Sequence, residues 1–141
     1  MAYTTRFNRA KGSKYKNKKC EYDGIKFDSQ KERDRYIFLK KAECEGLISN
    51  LELQVKHELI PAVREEYVVH LKTKDKVQTR TLQLAITYTC DFQYMKDGVL
   101  VVEDVKSSKM MLTKEYQLKK KMLFALKGIK IKEVYKPNEM I

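Results

Sequence analysis

Two residues, Asp97-Gly98, constrain the folding of this chain more than any others. They separate YTCDFQYMK from VLVVEDVK, two runs rich in Tyr, Phe, Val and Leu, and Asp-Gly most easily takes the paired positive φ angles of a tight hairpin turn. A β-hairpin over Tyr88–Lys106 follows. With Asp97 and Gly98 as the whole loop, Lys96 faces Val99, Met95 faces Leu100, and the ladder continues until Asp91 faces Asp104. A three-residue loop around Lys96-Asp97-Gly98 would instead set Asp91 against Glu103.

Directly opposed residues have Cβ atoms roughly 4.5–5.5 Å apart, and like charges so placed destabilise a sheet unless something compensates them. A divalent metal is one compensation. Lys106 lies two residues beyond Asp104 and therefore on the same face, whereas Glu103 points the other way. Paired carboxylates hold Mg²⁺ through hard oxygen ligands, and a neighbouring lysine can orient or deprotonate a water for attack on phosphorus. The competing reading is a charged hairpin on a solvated surface.

At 141 residues the chain has the length of one domain, and its 43% hydrophobic and 35% charged residues are those of a soluble α/β or α+β protein. A formal charge of +11 and a pI near 9.5 point to a polyanionic partner, nucleic acid before an anionic membrane surface. No apolar run approaches the length of a membrane span and no signal-peptide pattern opens the chain, so a cytoplasmic location is expected. Cys20, Cys44 and Cys90 are widely spaced with no metal-ligand pattern, and His57 and His70 stand alone on expected strands. All five are read as structural.

Residues 1–19 hold Arg6, Arg9, Lys11, Lys14, Lys16, Lys18 and Lys19 and no acid, the pattern of a mobile basic arm that tracks phosphates. Asp23-Gly24 predicts a small hairpin within CEYDGIKF. Ser29 and Glu32 form a capping box for a helix running through Tyr36, Leu39 and Ala42 to Gly46. Glu32 rides on the apolar side of that helix and competes between two uses, a cap and a carboxylate carried to the hairpin's polar face. LELQVKHELIPA reads as one strand that ends at Pro61, with Leu53, Val55, His57 and Leu59 on one face.

A polar excursion over residues 64–80 predicts an inserted hairpin around Lys74-Asp75-Lys76. The stretch from Leu84 to Met95 reads as one strand, with Ile86, Tyr88, Cys90, Phe92 and Tyr94 on one face and Asp91 on the other. Ser107-Ser108-Lys109 is a small loop suited to phosphate. Thr113 predicts the cap of a second helix, with Leu118, Met122, Ala125 and Leu126 inward and Lys114 and the other lysines outward. Gly128 ends it before a strand over 129–135. Residues 20–136 form the domain and 137–141 a tail.

The runs CEYDGIKFDSQKERDRY, CDFQYMKDGVLVVEDVKSSK and LTKEYQLKKKMLFALKGIKIKEV resemble a family of small phage-encoded proteins in the PD-(D/E)XK, or restriction-endonuclease-like, nuclease superfamily. That superfamily also includes phage and archaeal-type Holliday-junction resolvases. The resemblance covers roughly residues 14–135. It implies an α/β (α+β) core, a central mixed sheet flanked by helices in the order α-β-β-β-α-β with an inserted hairpin. Asp91 matches the first motif aspartate, with Cys90 where the pattern has proline. Asp104 and Lys106 match the (D/E)XK element, Glu32 matches the acid of the first core helix, and Gln54 resembles an accessory strand glutamine.

The resemblance further implies Mg²⁺, with Mn²⁺ as substitute, held by Glu32, Asp91, Asp104 and the backbone carbonyl of Val105. It implies a DNA endonuclease acting on branched or junction DNA in phage recombination or replication. Lys14, Lys16, Lys18, Lys19, Ser107, Ser108, Lys109 and Lys114 are expected to contact phosphates, and a homodimer would suit paired cuts in a host cytoplasm. The alternative is a basic DNA- or RNA-binding protein that keeps the fold without catalysis.

Overall fold

Asp97 and Gly98 adopt left-handed φ angles of 49° and 75°, and the strands they join pair as a two-residue loop requires. In the computed structural model, which describes residues 18–141, the first of these strands is Phe92–Lys96 and the second is Val99–Val105. Their register runs from Lys96↔Val99 to Phe92↔Glu103, so the next step down brings Asp91 level with Asp104. Asp23 and Gly24 make the same kind of turn, at φ 54° and 72°, between β1 (Cys20–Tyr22) and β2 (Ile25–Phe27).

Helix α1 spans Gln30–Cys44, and the Ser29 hydroxyl accepts from the Glu32 amide at its start. Gly46, at φ 76°, turns the chain out of the helix. Strands β3 (Ser49–Leu53) and β4 (Lys56–Ile60) follow, then β5 (Val63–His70) and β6 (Asp75–Gln83), then β7 (Ile86–Thr89). Phe92–Lys96 is β8 and Val99–Val105 is β9. A short 3₁₀ turn at Lys109–Met111 leads to α2 (Lys114–Lys127), capped by Thr113 and closed by left-handed Gly128, and then to β10 (Ile131–Val134).

The main sheet has the order β10-β9-β8-β3. β8 is antiparallel to both neighbours and β10 is parallel to β9, so the architecture is a mixed α+β one. Tyr36, Leu39 and Ala42 of α1 pack with Phe92 and Tyr94 on one side, where Val101 and Val105 also point. Tyr116 and Leu123 of α2 pack with Val102, Ile131, Leu59, Tyr88 and Cys90 on the other. The helices therefore cover opposite faces of the hairpin.

Three expectations from the sequence need correction. The stretch 51–62 is not one strand: Gln54, with φ 52°, separates β3 from β4. The stretch 84–95 also breaks, at Cys90-Asp91, directly across from it. The Gln54 amide donates to the Asp91 carbonyl and the Cys90 amide to the Val55 carbonyl, each at 3.0 Å. The paired break reverses the alternation, so Phe92 and Tyr94 lie on the α1 side while Tyr88 and Cys90 lie on the α2 side. Finally, the inward residues of α2 are Tyr116 and Leu123, while Leu118, Ala125 and Leu126 are exposed and Met122 is half-buried.

Candidate active site

The break at Gln54 and Asp91 gives the site its shape. Freed from the strand, the Asp91 carboxylate turns onto β9, where its Oδ2 accepts the Val105 amide at 2.8 Å and its Oδ1 accepts from Gln54 Nε2 at 3.3 Å. Asp104 stands beside it and receives the Tyr88 hydroxyl on Oδ2 at 2.7 Å and the Lys106 ammonium on Oδ1 at 3.0 Å. Lys106 in turn lies 3.8 Å over the centre of the Tyr116 ring, a cation–π contact. The Tyr116 hydroxyl is tied to Glu133 at 3.1 Å, which also takes Lys120 at 2.5 Å and Tyr135 at 2.7 Å.

These groups line a cleft of about 390 Å³ bounded by Tyr88, Thr89, Asp91, Asp104, Lys106 and Tyr116, with Thr113, Glu115 and Lys119 at its α2 side. Burial, then the charge of Asp104, pushes the Asp91 carboxyl well above the usual carboxylate range; the Val105 amide only partly offsets this. Burial, then Asp104, also pushes the Tyr88 phenol far up. Tyr88 is therefore a hydrogen-bond donor at any working pH.

Glu32 is half-buried at the first turn of α1, where the Ser29 hydroxyl donates to its Oε1 at 3.0 Å. Desolvation raises its proton affinity against the lowering effect of Ser29, and Asp28 and Asp104 add repulsion. Glu32 thus feels the pair electrostatically, but it does not line the cleft. Among the described residues, no three His, Cys, Asp or Glu side chains converge closely enough to hold a metal ion between them. The structure brings together Asp91, Asp104, Lys106 and Gln54, and leaves Glu32 in its cap.

Of the expected phosphate contacts, Lys14 and Lys16 fall outside the described residues. Lys18 and Lys19 are exposed at the start of β1, with Lys19 3.8 Å from Asp28. Ser107, Ser108 and Lys109 follow Lys106 directly. Ser108 caps the 3₁₀ turn by accepting from the Met110 amide, and the Ser107 carbonyl accepts from Lys31. Lys114 is exposed beside Thr113. Cys20, Cys44 and Cys90 are free thiols, and burial pushes Cys90 up to about 11. Its sulfur is 4.0 Å from His57 Nε2.

Five cleft residues escape the reading of the sequence. Tyr88 is placed there on the apolar strand face and Lys119 towards solvent, and Thr89, Glu115 and Tyr116 are not singled out. For Tyr116 and Lys119 the signal was their spacing to Leu123, since 116, 119 and 123 trace one helix face. The reading also puts Glu103 on the face away from Asp104 but misses its partner, Arg35. Both are fully buried, and Arg35 Nη2 and Nε reach the Glu103 carboxylate at 2.6 and 2.8 Å.

Residues 12–137 match a family described as "Protein of unknown function (DUF1064)". The chain belongs to this DUF1064 family. The match spans both helices, the hairpin and every described cleft residue. No curated protein matches the chain, and no solved structure does.

Proposed function

We propose that this protein is a divalent-metal-dependent DNA endonuclease on a restriction-endonuclease-like core. The observation that carries the reading is the juxtaposition of Asp91 and Asp104 at the open end of a hairpin, with Lys106 bound to Asp104. Supporting it, α1, β3, β8, β9, α2 and β10 follow the order α-β-β-β-α-β, and the sheet they build is mixed.

The residues present fit Mg²⁺ or Mn²⁺. The donors are hard carboxylate oxygens, and a carboxylate offers about four lone-pair sites, more than the bonds described above occupy. Mg²⁺ is commonly held by one or two carboxylates and keeps several waters, so two aspartates suffice, with the Val105 carbonyl as a further candidate and Glu32 contributing its charge from the cap. Such an ion supplies Lewis-acid polarisation of a phosphoryl oxygen. The chain's own groups do the rest. Tyr88 fixes the rotamer of Asp104, Gln54 and the Val105 amide fix Asp91, and Lys106 positions the attacking water and offers positive charge to the phosphate. Lys109, Lys114 and the basic residues before β1 would supply sequence-independent phosphate contacts. Branched DNA is the substrate class favoured by the family resemblance.

The test is incubation of the purified chain with supercoiled, linear and four-way-junction DNA in Mg²⁺, Mn²⁺ or EDTA. Cleavage in metal and none in EDTA is the expected result. Binding without cleavage under every metal condition would replace this reading with a non-catalytic DNA- or RNA-binding protein.

A further inference from the structure

β4 and β7 pair from Lys56↔Thr89 to Ile60↔Ile86. Beyond that point Pro61-Ala62 and Leu84-Ala85 lead straight into β5 and β6, which pair from Val63↔Gln83 to His70↔Asp75. The four strands are thus one long hairpin. Its inner part is packed: Leu59 and Tyr88 join Leu123 of α2 in the core. Its outer part is bare, with no residue from 63 to 83 buried. An isolated two-stranded ribbon is marginal in water and its open edges invite pairing, so this ribbon calls for an occupant.

The chemistry of the ribbon indicates which one. Glu65 is engaged by Arg80 and Asp75 by His70. Among the described residues Arg64, Lys72, Lys74 and Lys76 form no salt bridge, which leaves these cations free against Glu66. Three of them cluster at the exposed tip. The exposed apolar residues do not form one face: Tyr67, under the Arg80 guanidinium at 5.6 Å, points one way, while the paired Val68 and Val77 point the other. A second copy would meet like charge and no continuous apolar surface. The eight paired positions extend about 24 Å, and two strands about 4.8 Å apart fit the roughly 12 Å width of a B-DNA major groove.

We propose that the β5–β6 ribbon is a duplex-DNA arm that lies in the major groove beside the cleavage site. Lys72, Lys74, Lys76 and Arg64 would sit on phosphates, with the apolar side chains against sugars and thymine methyls. The ribbon starts at Gln83, eight residues from Asp91, and its paired part ends at Asp75, eight residues farther on. This lets the tip reach DNA within roughly 16 base pairs of the cut, at about 3.3 Å per strand residue and 3.4 Å per base pair. A-form RNA has a major groove too narrow for such an arm. The inference rests on the endonuclease proposal for the position of the cut, while binding through the ribbon needs only that duplex DNA is the partner.

The experiment measures binding to duplex DNA in EDTA, where no cleavage occurs, across about 50–200 mM salt, for the wild type and a Lys72→Ala/Lys74→Ala/Lys76→Ala variant. The expected result is a log affinity against log salt slope shallower by about 2.7, from three phosphate contacts at about 0.9 each, with duplex RNA binding unchanged. The three lysines are exposed, so melting should not shift. A wild-type slope in the variant overturns the arm. So does an equal loss on RNA, or a dimer that Val68→Asp/Val77→Asp splits while the salt slope stays put. A chain that never cleaves but shows the slope change loses the nuclease reading alone; a chain that cleaves while the variant keeps the wild-type slope loses the arm alone.

Discussion

Glu103 and Asp104 are neighbours on β9 and face opposite sides of the sheet, where their surroundings differ sharply. Glu103 is sealed from solvent and takes a two-pronged bond from Arg35, the Tyr94 hydroxyl at 2.6 Å and Lys132 at 3.5 Å. Its charge is matched and its lone pairs are occupied. On the other side two carboxylates, Asp91 and Asp104, stand together with one ammonium, that of Lys106, which is bound to Asp104, and Glu32 adds repulsion. The surplus negative charge lies at a cleft. A buried carboxylate either pairs or takes up a proton, and Asp91 is driven towards the proton. The first cluster completes the fold, while the second leaves a place for the cation that the proposed function requires.

The sharpest way to break this contrast is to neutralise Asp104. Asp104→Asn should lower cleavage by at least about 10³-fold, the scale of losing a principal electrostatic group, while the melting temperature holds or rises because a repulsion is removed. An unfolded variant would place Asp104 with the structural cluster. The opposite substitution, Arg35→Met, strands a buried carboxylate and should cost about 3–5 kcal/mol in urea unfolding. Its folded fraction should cleave normally. A loss below about 1 kcal/mol would show that the Glu103 cluster is not structural.

The two clusters should also differ in how they respond to pH. In metal-free protein Asp91 has a raised proton affinity when folded and an ordinary one, near pKa 3.9, when unfolded. The folded state then binds more protons, so this contribution to stability is whole below about pH 4 and is lost as pH rises through the folded value. The slope should be no steeper than about 1.4 kcal/mol per pH unit, and it should flatten in Asp91→Asn. Denaturant midpoints between pH 5 and 8 in EDTA read this directly. The smallest effect concerns the seat of Lys106. Losing a cation–π contact of about 0.5–2 kcal/mol, Tyr116→Leu should lower kcat about tenfold with KM little changed, and Tyr116→Phe, which keeps the ring, should restore it to within about threefold.

What the sequence revealed follows from local chemistry. Asp97-Gly98 set the register, Ser29 and Thr113 set the helix starts, and Gly46 and Gly128 the ends, because turns and caps depend on residues close in the chain. The paired break was hidden because Gln54 carries a positive φ without being glycine. It is held there by a bond to Asp91, 37 positions away, and the apolar alternation runs through both breaks unchanged. The α2 face was misread because Lys119 and Lys120 occupy it with their stems, their charges engaged by Glu115 and Glu133. Arg35 and Glu103 meet across 68 positions; a lone arginine within the Tyr36 and Leu39 stripe was the available sign.

The most direct measurement is a calorimetric titration of Mn²⁺ into the wild type, Glu103→Gln, and an Asp91→Asn/Asp104→Asn double variant, each bound to uncleavable duplex DNA. Binding by the wild type and Glu103→Gln, and none by the double variant, is the predicted result. Equal binding by all three, or none by the wild type, would contradict the assignment of Asp91 and Asp104 as the metal site.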